Sequence, residues 1–471
     1  MQEFDVIIIG GGPAGYVAAI RGAQLGFSVA CIETRQNARG KGALGGTCLN
    51  VGCIPSKSLL DSSHLYEKLQ HESKAHGIEV DGARIDVGVM QKRKDKVVSM
   101  LTQGIASLFK KHGITWLEGT GALAGDGVVR ISGPVQTSEV RGKHIVIATG
   151  SVPARLPFAN VDNERICDST GALAFDEVPE RLGIIGAGVI GLELGSVWRR
   201  LGSAVTVLEA SPDFLPAVDQ AVAGEALKTL RKQGLTIRLN TRVESLAHDK
   251  ESVTVTLGGE DGDSETLTFD RLIVAVGRAP NTEGLNAEGV GLALDGRGFV
   301  QVDAQFRTNL DGVFAVGDVI GGAMLAHKAS EEGVALMEML AGQKPALDHD
   351  RMPWVIYTWP EIAWVGKTTQ TLEAEGRAFR EGSFPFLASG RARAMNDTGG
   401  MVRVLACAKT DALLGVHIIG PNASELVSEA VLAMAFEGTA EDLARTIHAH
   451  PTLAETLHEA ALAVDDRALH I

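Results

Sequence analysis

Short apolar runs and longer amphipathic stretches alternate along the chain. Residues 4–10, FDVIIIG, form an unbroken β-branched run, the pattern of a strand buried on both faces. A small-residue helical stretch, YVAAIRGAQLG, follows, and a second apolar run, SVACIE, ends in Glu33. The same order returns later as the run LGIIG, the helical stretch VIGLELGSVWRRLG and the run SAVTVLE, which ends in Glu209. Each repeat is closed by another buried run, KHIVIATGS at 143–151 and DRLIVAVGRAPN at 270–281, and GVFAVGDV at 312–319 adds one more. Past the polar, proline-containing link GQKPALDHD near 342–350, the runs IAWVG, MVRVLA and LLGVHIIG read as strands. ASELVSEAVLAMAF and TAEDLART read as helices.

Strand–helix–strand units of this kind predict an α/β chain with two Rossmann-like domains. The first is expected over 1–150 and is completed by 280–350, because the second, at 151–279, is inserted into it. Residues 351–471 carry no nucleotide fingerprint and read as a C-terminal α+β domain serving an interface or a substrate.

Glycine placement gives the two repeats a chemistry. Gly10, Gly12 and Gly15 sit between strand and helix in the first, and Gly186, Gly188 and Gly191 in the second, each spaced G-x-G-x-x-G. The first glycine makes the tight turn, the second lets backbone approach a pyrophosphate, and the third permits close packing of helix on strand. The helix N-terminus offers N–H groups and a positive dipole end to phosphate. Glu33 and Glu209 follow at the same distance in each repeat, where a carboxylate accepts hydrogen bonds from a ribose. One such fingerprint is weak, since glycine-rich packing turns match it by chance. Two in the same strand, helix and acid register predict two bound dinucleotides. Asp318, near the end of GVFAVGDV, lies where open α/β sheets bind ligands, although a helix cap also uses an aspartate in such a place.

Charge and composition narrow the partners. With 58 acidic and 44 basic residues, the 471-residue chain has a formal charge of −14, which argues against nucleic acid as a main partner. No apolar run reaches the roughly 20 residues that span a bilayer, so no membrane is expected. The chain enters its first strand almost at once, and no signal or transit peptide fits ahead of it. A cytoplasmic location is the expectation.

Five cysteines are present, and two of them, Cys48 and Cys53, lie together in GGTCLNVGCIPSK. A structural disulfide is disfavoured in a reducing compartment. Zinc would need a second ligand pair, whereas Cys31, Cys167 and Cys407 are scattered singly, so no metal is expected. A catalytic or redox-sensing dithiol remains. Five residues of regular helix rise ~7.5 Å, and a disulfide needs its Cα atoms within roughly 7 Å. A Cys48–Cys53 bond therefore requires a distorted helix, and Gly52 and Pro55 are the positions where the backbone could deviate.

Two dinucleotide fingerprints around a close cysteine pair resemble the pyridine nucleotide–disulfide oxidoreductases over nearly the whole chain. GGTCLNVGCIPSK and HAHPTLAE are the most specific stretches, and PSKSLLDSSHLYE, YTWPEIAWVG and GRARAMND look like the subgroup that oxidises dihydrolipoyl groups. The resemblance implies FAD at the first fingerprint and NAD at the second, with a C-terminal dimerisation domain. For FAD it implies contacts at Glu33, Lys57, Gly121, Asp318 and Ala326; for NAD, near Val243 and Gly277. Glu209 itself favours NAD over NADP, because a carboxylate accepts from a ribose 2′-OH and repels a 2′-phosphate, and ASPDFLP after it offers no arginine.

The resemblance further makes Cys48 the interchange thiol and Cys53 the thiol facing the flavin. It makes His450 the base, oriented by Glu455, and leaves His448 without a role. It pairs Lys57 with Glu193, where a surface lysine and a helix-face charge are the plainer alternatives. It implies a homodimer in which His450 acts in the partner subunit's site. The implied macromolecular partner is a lipoyl-bearing acyltransferase of a 2-oxoacid dehydrogenase complex or the carrier protein of glycine cleavage. Among the rival readings, a glutathione reductase would favour arginines after the second nucleotide strand, a mercuric reductase usually carries a terminal cysteine pair, and an NADH oxidase or peroxidase would use one active cysteine, while a non-enzymatic flavin-bearing subunit explains fewer of these residues.

Overall fold

The computed structural model describes residues 1–37, 39–133, 136–258 and 264–471. These divide into two compact units. The first gathers Met1–Ser58, Val89–Arg155 and Gly277–Leu347; the second gathers Leu59–Gly88, Leu156–Val276 and Asp348–Ile471.

In the first unit the run FDVIIIG becomes part of the strand Gln2–Ile9, central in its sheet. Val29–Glu33 and then Thr115–Glu118 pair on one side of it and Thr137–Ile147 on the other, all parallel. Val313–Ala315, from beyond the second fingerprint in the chain, adds parallel to Thr137–Ile147. The antiparallel strands Thr120–Gly125 and Val128–Ser132 also lead into Thr137–Ile147. Successive side chains of a strand point to opposite faces. Val6 and Ile8 enter one core with Ala14 and Ala18 of helix Pro13–Gln24 and Leu336 of helix Ala326–Leu340. Ile7 and Ile9 enter the other with Ile32, Val129 and Leu285. A stretch covered on both faces must be apolar, and the buried half of this strand, residues 6–9, is. Val6, Ile7 and Ile8 are fully buried, each contributing roughly 1.5–3 kcal/mol.

The second unit holds a parallel sheet in the order Thr236–Arg238, Ala204–Leu208, Arg181–Ile185, Arg271–Val274, Ile166–Cys167. An antiparallel three-stranded layer, Val243–His248, Val253–Leu257 and Glu265–Phe269, shares a core with it through Val253, Val255, Phe269, Ile185 and Leu272. The C-terminal part is a five-stranded antiparallel sheet, Trp354–Ile356, Glu361–Gly366, Leu413–Gly420, Met401–Cys407 and Phe379–Pro385 in spatial order. Helices Ala423–Ala435 and Glu455–Ala463 bury Val427, Ala430, Leu457 and Ala460 in its core. No helix among the described residues is long and apolar enough to cross a membrane.

Candidate active site

The two fingerprint loops share one backbone. Gly10 has φ +111° and Gly186 +105°. A Cβ at these positions would stand 2.3 Å from the Ala148 carbonyl oxygen and 2.4 Å from that of Ala275. At Gly15 and Gly191 it would stand 1.8 Å and 2.2 Å from the carbonyl oxygens of Gly10 and Gly186. Only glycine fits these four places. The middle glycines are different. Gly12 and Gly188 cap helices Pro13–Gln24 and Val189–Arg200 in extended backbone, with no side-chain cap. A Cβ on Gly188 would meet nothing within 4 Å, and on Gly12 only the Gly46 Cα at 3.7 Å. Protein packing does not demand glycine there. Open space above an uncapped helix N-terminus fits a pyrophosphate.

The acids repeat the correspondence. The Gly11 N–H donates to Glu33 Oε2 (2.9 Å) and the Arg35 N–H to Oε1 (2.8 Å). The Ala187 N–H donates to Glu209 Oε2 (2.8 Å) and the Ser211 N–H to Oε1 (2.9 Å). Each carboxylate is fixed across its loop and keeps lone pairs for ribose hydroxyls.

Other first-unit residues surround the first loop. Gly121 lies in Thr120–Gly125 against Ile9 and Ile32, at the ends of the two strands that flank the loop. Asp318 falls past the strand Val313–Ala315, in the 3₁₀ turn Gly317–Ile320. Its side chain does not cap a helix: the Ser151 hydroxyl donates to Asp318 Oδ2 (2.5 Å), and Arg278 Nε donates to Ser151 Oγ (2.7 Å). A buried Lys328–Glu332 ion pair (3.0 Å) holds the same turn, with Lys328 Nζ donating to the Gly321 carbonyl (2.9 Å) and the Gly317 N–H donating to Glu332 (2.8 Å). Ala326 opens the helix Ala326–Leu340 that carries this pair. Sequence reasoning missed Ser151, Arg278, Lys328 and Glu332. The i,i+4 Lys–Glu pair on an apolar helix was the available signal.

The cysteine segment is two helices, Gly46–Val51 and Cys53–His71, separated at Gly52 (φ −141°, ψ −115°). A Cβ on Gly52 would stand 2.9 Å from the Thr47 carbonyl oxygen. The distortion is therefore at Gly52 alone. Pro55 lies in the first turn of the second helix, where a missing N–H costs nothing. Cys48 and Cys53 are both half-buried. A hydrogen bond from Cys48 to Cys53, together with burial, pushes the Cys48 thiol well above its ordinary range, and the Lys57 charge only partly opposes this. Lys57 follows Cys53 by one turn of the same helix. Burial, and then the charge of Cys48, raises the pKa of Tyr16 as well.

Adjacent glycines set this segment on the first fingerprint. The Gly45 N–H donates to the Gly11 carbonyl (2.7 Å). Gly46 has φ +56°, and a Cβ there would stand 2.6 Å from Gly12 Cα. Asn50 Nδ2 donates to the carbonyls of Leu44 (3.0 Å) and Gly46 (2.9 Å), closing the turn. The doubled glycine before Thr47 was the sequence signal for this approach.

In the second unit Glu193 is buried, and its Oε1 accepts the Tyr357 N–H (2.9 Å), so it is not an exposed helix-face charge. Val243 gives its side chain to the core shared by the two sheets. Gly277 belongs to the first unit, is exposed at φ +122°, and its carbonyl accepts the Ala154 N–H (3.0 Å). His450 and Glu455 are together: His450 Nδ1 lies 2.8 Å from Glu455 Oε1, while the Thr452 N–H donates to Oε2 (2.8 Å). Burial opposes ionisation of Glu455, but the Thr452 amide and His450 outweigh it and hold the carboxyl below its usual range. The His450 side chain is 80% exposed. No cluster that could hold a metal ion occurs among the described residues.

Residues 4–333 match the family model described as pyridine nucleotide-disulphide oxidoreductase, and 352–461 match the model of that family's dimerisation domain. The chain is 53% identical over 472 residues to a dihydrolipoyl dehydrogenase of Cupriavidus necator, covering 100% of both. It is 47% identical to the mitochondrial dihydrolipoyl dehydrogenase of Pisum sativum, covering 100% of this chain and 93% of that protein. Among solved structures, LpdA from Mycobacterium tuberculosis superimposes with a TM-score of 0.89 at 27% identity, covering 98% of this chain and 99% of that one.

Proposed function

The chain belongs to the pyridine nucleotide-disulphide oxidoreductases, and from that premise we propose that it works as a dihydrolipoyl dehydrogenase using FAD and NAD. It oxidises protein-bound dihydrolipoamide to lipoamide and reduces NAD⁺. The observation that carries this reading is the Cys48–Cys53 contact across the helix break at Gly52, seated on Gly12 through Gly46. Residues 1–150 with 280–350 form the FAD-binding domain, 151–279 the NAD-binding domain and 351–471 the interface domain. Gly10, Gly12, Gly15, Glu33, Lys57, Gly121, Asp318 and Ala326 hold FAD. Gly186, Gly188, Gly191, Glu209, Gly277 and the backbone at Val243 hold NAD.

Bound FAD supplies a two-electron acceptor for the dithiol, and bound NAD⁺ a hydride acceptor beyond it. The remaining steps belong to side chains. His450, oriented through Nδ1 by Glu455, takes at Nε2 the proton of one substrate thiol. The thiolate attacks Cys48 Sγ of the oxidised Cys48–Cys53 pair; that S–S bond breaks, and Cys53 leaves as a thiolate. The second substrate thiol then displaces Cys48, passing it a proton and closing the lipoyl disulfide. Two electrons have moved from substrate to cysteines, one proton rests on His450 and one on Cys48. The hydrogen bond to Cys53 favours keeping that proton on Cys48. The Lys57 charge stabilises negative charge at Cys53.

The protein acts as a homodimer through its dimerisation domain, with His450 serving the partner subunit's dithiol. Its macromolecular substrate is the lipoyl group of a 2-oxoacid dehydrogenase acyltransferase or of the glycine cleavage carrier, in the cytoplasm. Assaying NAD⁺ reduction by dihydrolipoamide beside NADPH oxidation by glutathione disulfide tests the reading. Turnover is expected only in the first, and turnover only in the second would overturn it.

A further inference from the structure

His448, two residues before the base, is held at both ring nitrogens. Nδ1 lies 2.9 Å from the Thr446 carbonyl oxygen and Nε2 lies 2.7 Å from Glu429 Oε1. A carbonyl oxygen only accepts, so Nδ1 carries a hydrogen. The proton between Nε2 and Glu429 belongs to the more basic imidazole. Both nitrogens are therefore donors, and the ring is an imidazolium. Its side chain is 6% exposed and packs against His458, with ring centroids 5.2 Å apart and planes inclined by 50°. Thr446 closes helix Ala440–Arg445, and Glu429 stands on helix Ala423–Ala435. The segment carrying His450 is thus tied to two helices through one charged ring.

We propose that His448 is a positioning residue of the dithiol-oxidising half-reaction: as an imidazolium bridging Thr446 and Glu429 it fixes the segment that presents His450, and its deprotonation loosens that segment. The proposal rests on His450 being the base. The charged and titratable groups around His448 are Glu429 from Ala423–Ala435, Glu455 and His458 from Glu455–Ala463, and His450 on its own segment. The Glu429 hydrogen bond raises the His448 pKa above its ordinary 6.5; burial opposes this, and the charges of Glu429 and Glu455 add to it. A raised histidine pKa stabilises the fold fully below 6.5, and that contribution is lost as pH rises through the raised value. Loosening therefore belongs to the alkaline side.

The test is the pH profile of kcat for dihydrolipoamide oxidation in holoenzyme carrying Glu429→Gln, His448→Phe or both. Glu429→Gln keeps an acceptor but removes the charge, and its alkaline limb is expected to move to lower pH by about one unit. His448→Phe keeps a ring against His458 and loses both donors, so kcat is expected to fall by roughly 10- to 100-fold, as misplacement of a reacting group does. Flavin content and NADH–ferricyanide turnover, measured in parallel, should stay within about twofold, because neither needs the base. The double variant should fall no further than His448→Phe, since the two residues act as one unit. A Glu429→Gln profile superimposable on wild type would overturn the proposal even if His448→Phe failed to fold. His450→Gln separates the two ideas. If it loses the dihydrolipoamide rate while Glu429→Gln tracks wild type, only the role of His448 fails; if it keeps the rate, the base assignment fails with it.

Discussion

Gly12 and Gly188 hold the same place in two loops of nearly identical backbone, and they have different surroundings. Gly188 faces open space, whereas Gly46 approaches Gly12 so closely that a Cβ on Gly46 would stand 2.6 Å from its Cα. The surrounding devices are otherwise duplicated, down to the carboxylates of Glu33 and Glu209, each clamped by two amides. A fingerprint loop is thus a general phosphate cradle, and what is packed beside it decides which chemistry the bound nucleotide meets. Beside the first loop lies the segment that carries Cys48 and Cys53. Around the Gly188 position of the second there is room for a carrier that comes and goes.

Substitutions can break this contrast. The largest effect is expected from Gly46→Ala, which combines φ +56° with a backbone clash that no side-chain motion relieves; the left-handed conformation alone costs an alanine roughly 1–2 kcal/mol. The purified variant should lose most of its flavin absorbance and all dihydrolipoamide turnover. Retention of both would mean that the cysteine segment is not set by this contact. Gly188→Ala comes next. Its φ of −79° suits alanine and its Cβ meets no protein atom, so thermal unfolding should change by less than about 0.5 kcal/mol. The KM for NADH should nonetheless rise by roughly 10-fold or more, because the methyl enters the phosphate cradle. A large stability loss with unchanged KM would reverse that reading. The smallest effect is that of Glu209→Gln, which keeps one of the two oxygens that accept from the loop and removes the charge that repels a 2′-phosphate. The NAD over NADP preference in kcat/KM should shrink by roughly tenfold, and an unchanged ratio would remove Glu209 from cofactor selection.

The two repeats were readable in the sequence because their signals are local: buried runs, glycines at fixed offsets, an acid at the next strand end. The need for a break between Cys48 and Cys53 was also readable from helix rise against disulfide reach. Its place was not, because Gly52 and Pro55 both signal a break, and a proline in the first turn of a helix is harmless. Contacts remote in sequence stayed hidden. Ser151, Arg278 and Asp318 join across more than a hundred residues, and Gly46 meets Gly12 from a different segment of the chain. The helix Val87–His112 was missed for a different reason. It buries only a narrow stripe, Met90, Ile105 and Phe109 among it, within a largely polar segment that contains no continuous apolar run. His448 looked ordinary because a histidine's role lies in its partners, and Glu429 is on another helix.

We propose that Cys48 and Cys53 do different jobs, one toward substrate and one toward flavin. The visible spectrum of the two single variants, Cys48→Ser and Cys53→Ser, tests it most directly. With Cys48 removed, the Cys53 thiolate should remain beside the bound flavin and give a long-wavelength charge-transfer band, and with Cys53 removed that band should vanish. A band that persists in Cys53→Ser and is absent in Cys48→Ser would reverse the two assignments.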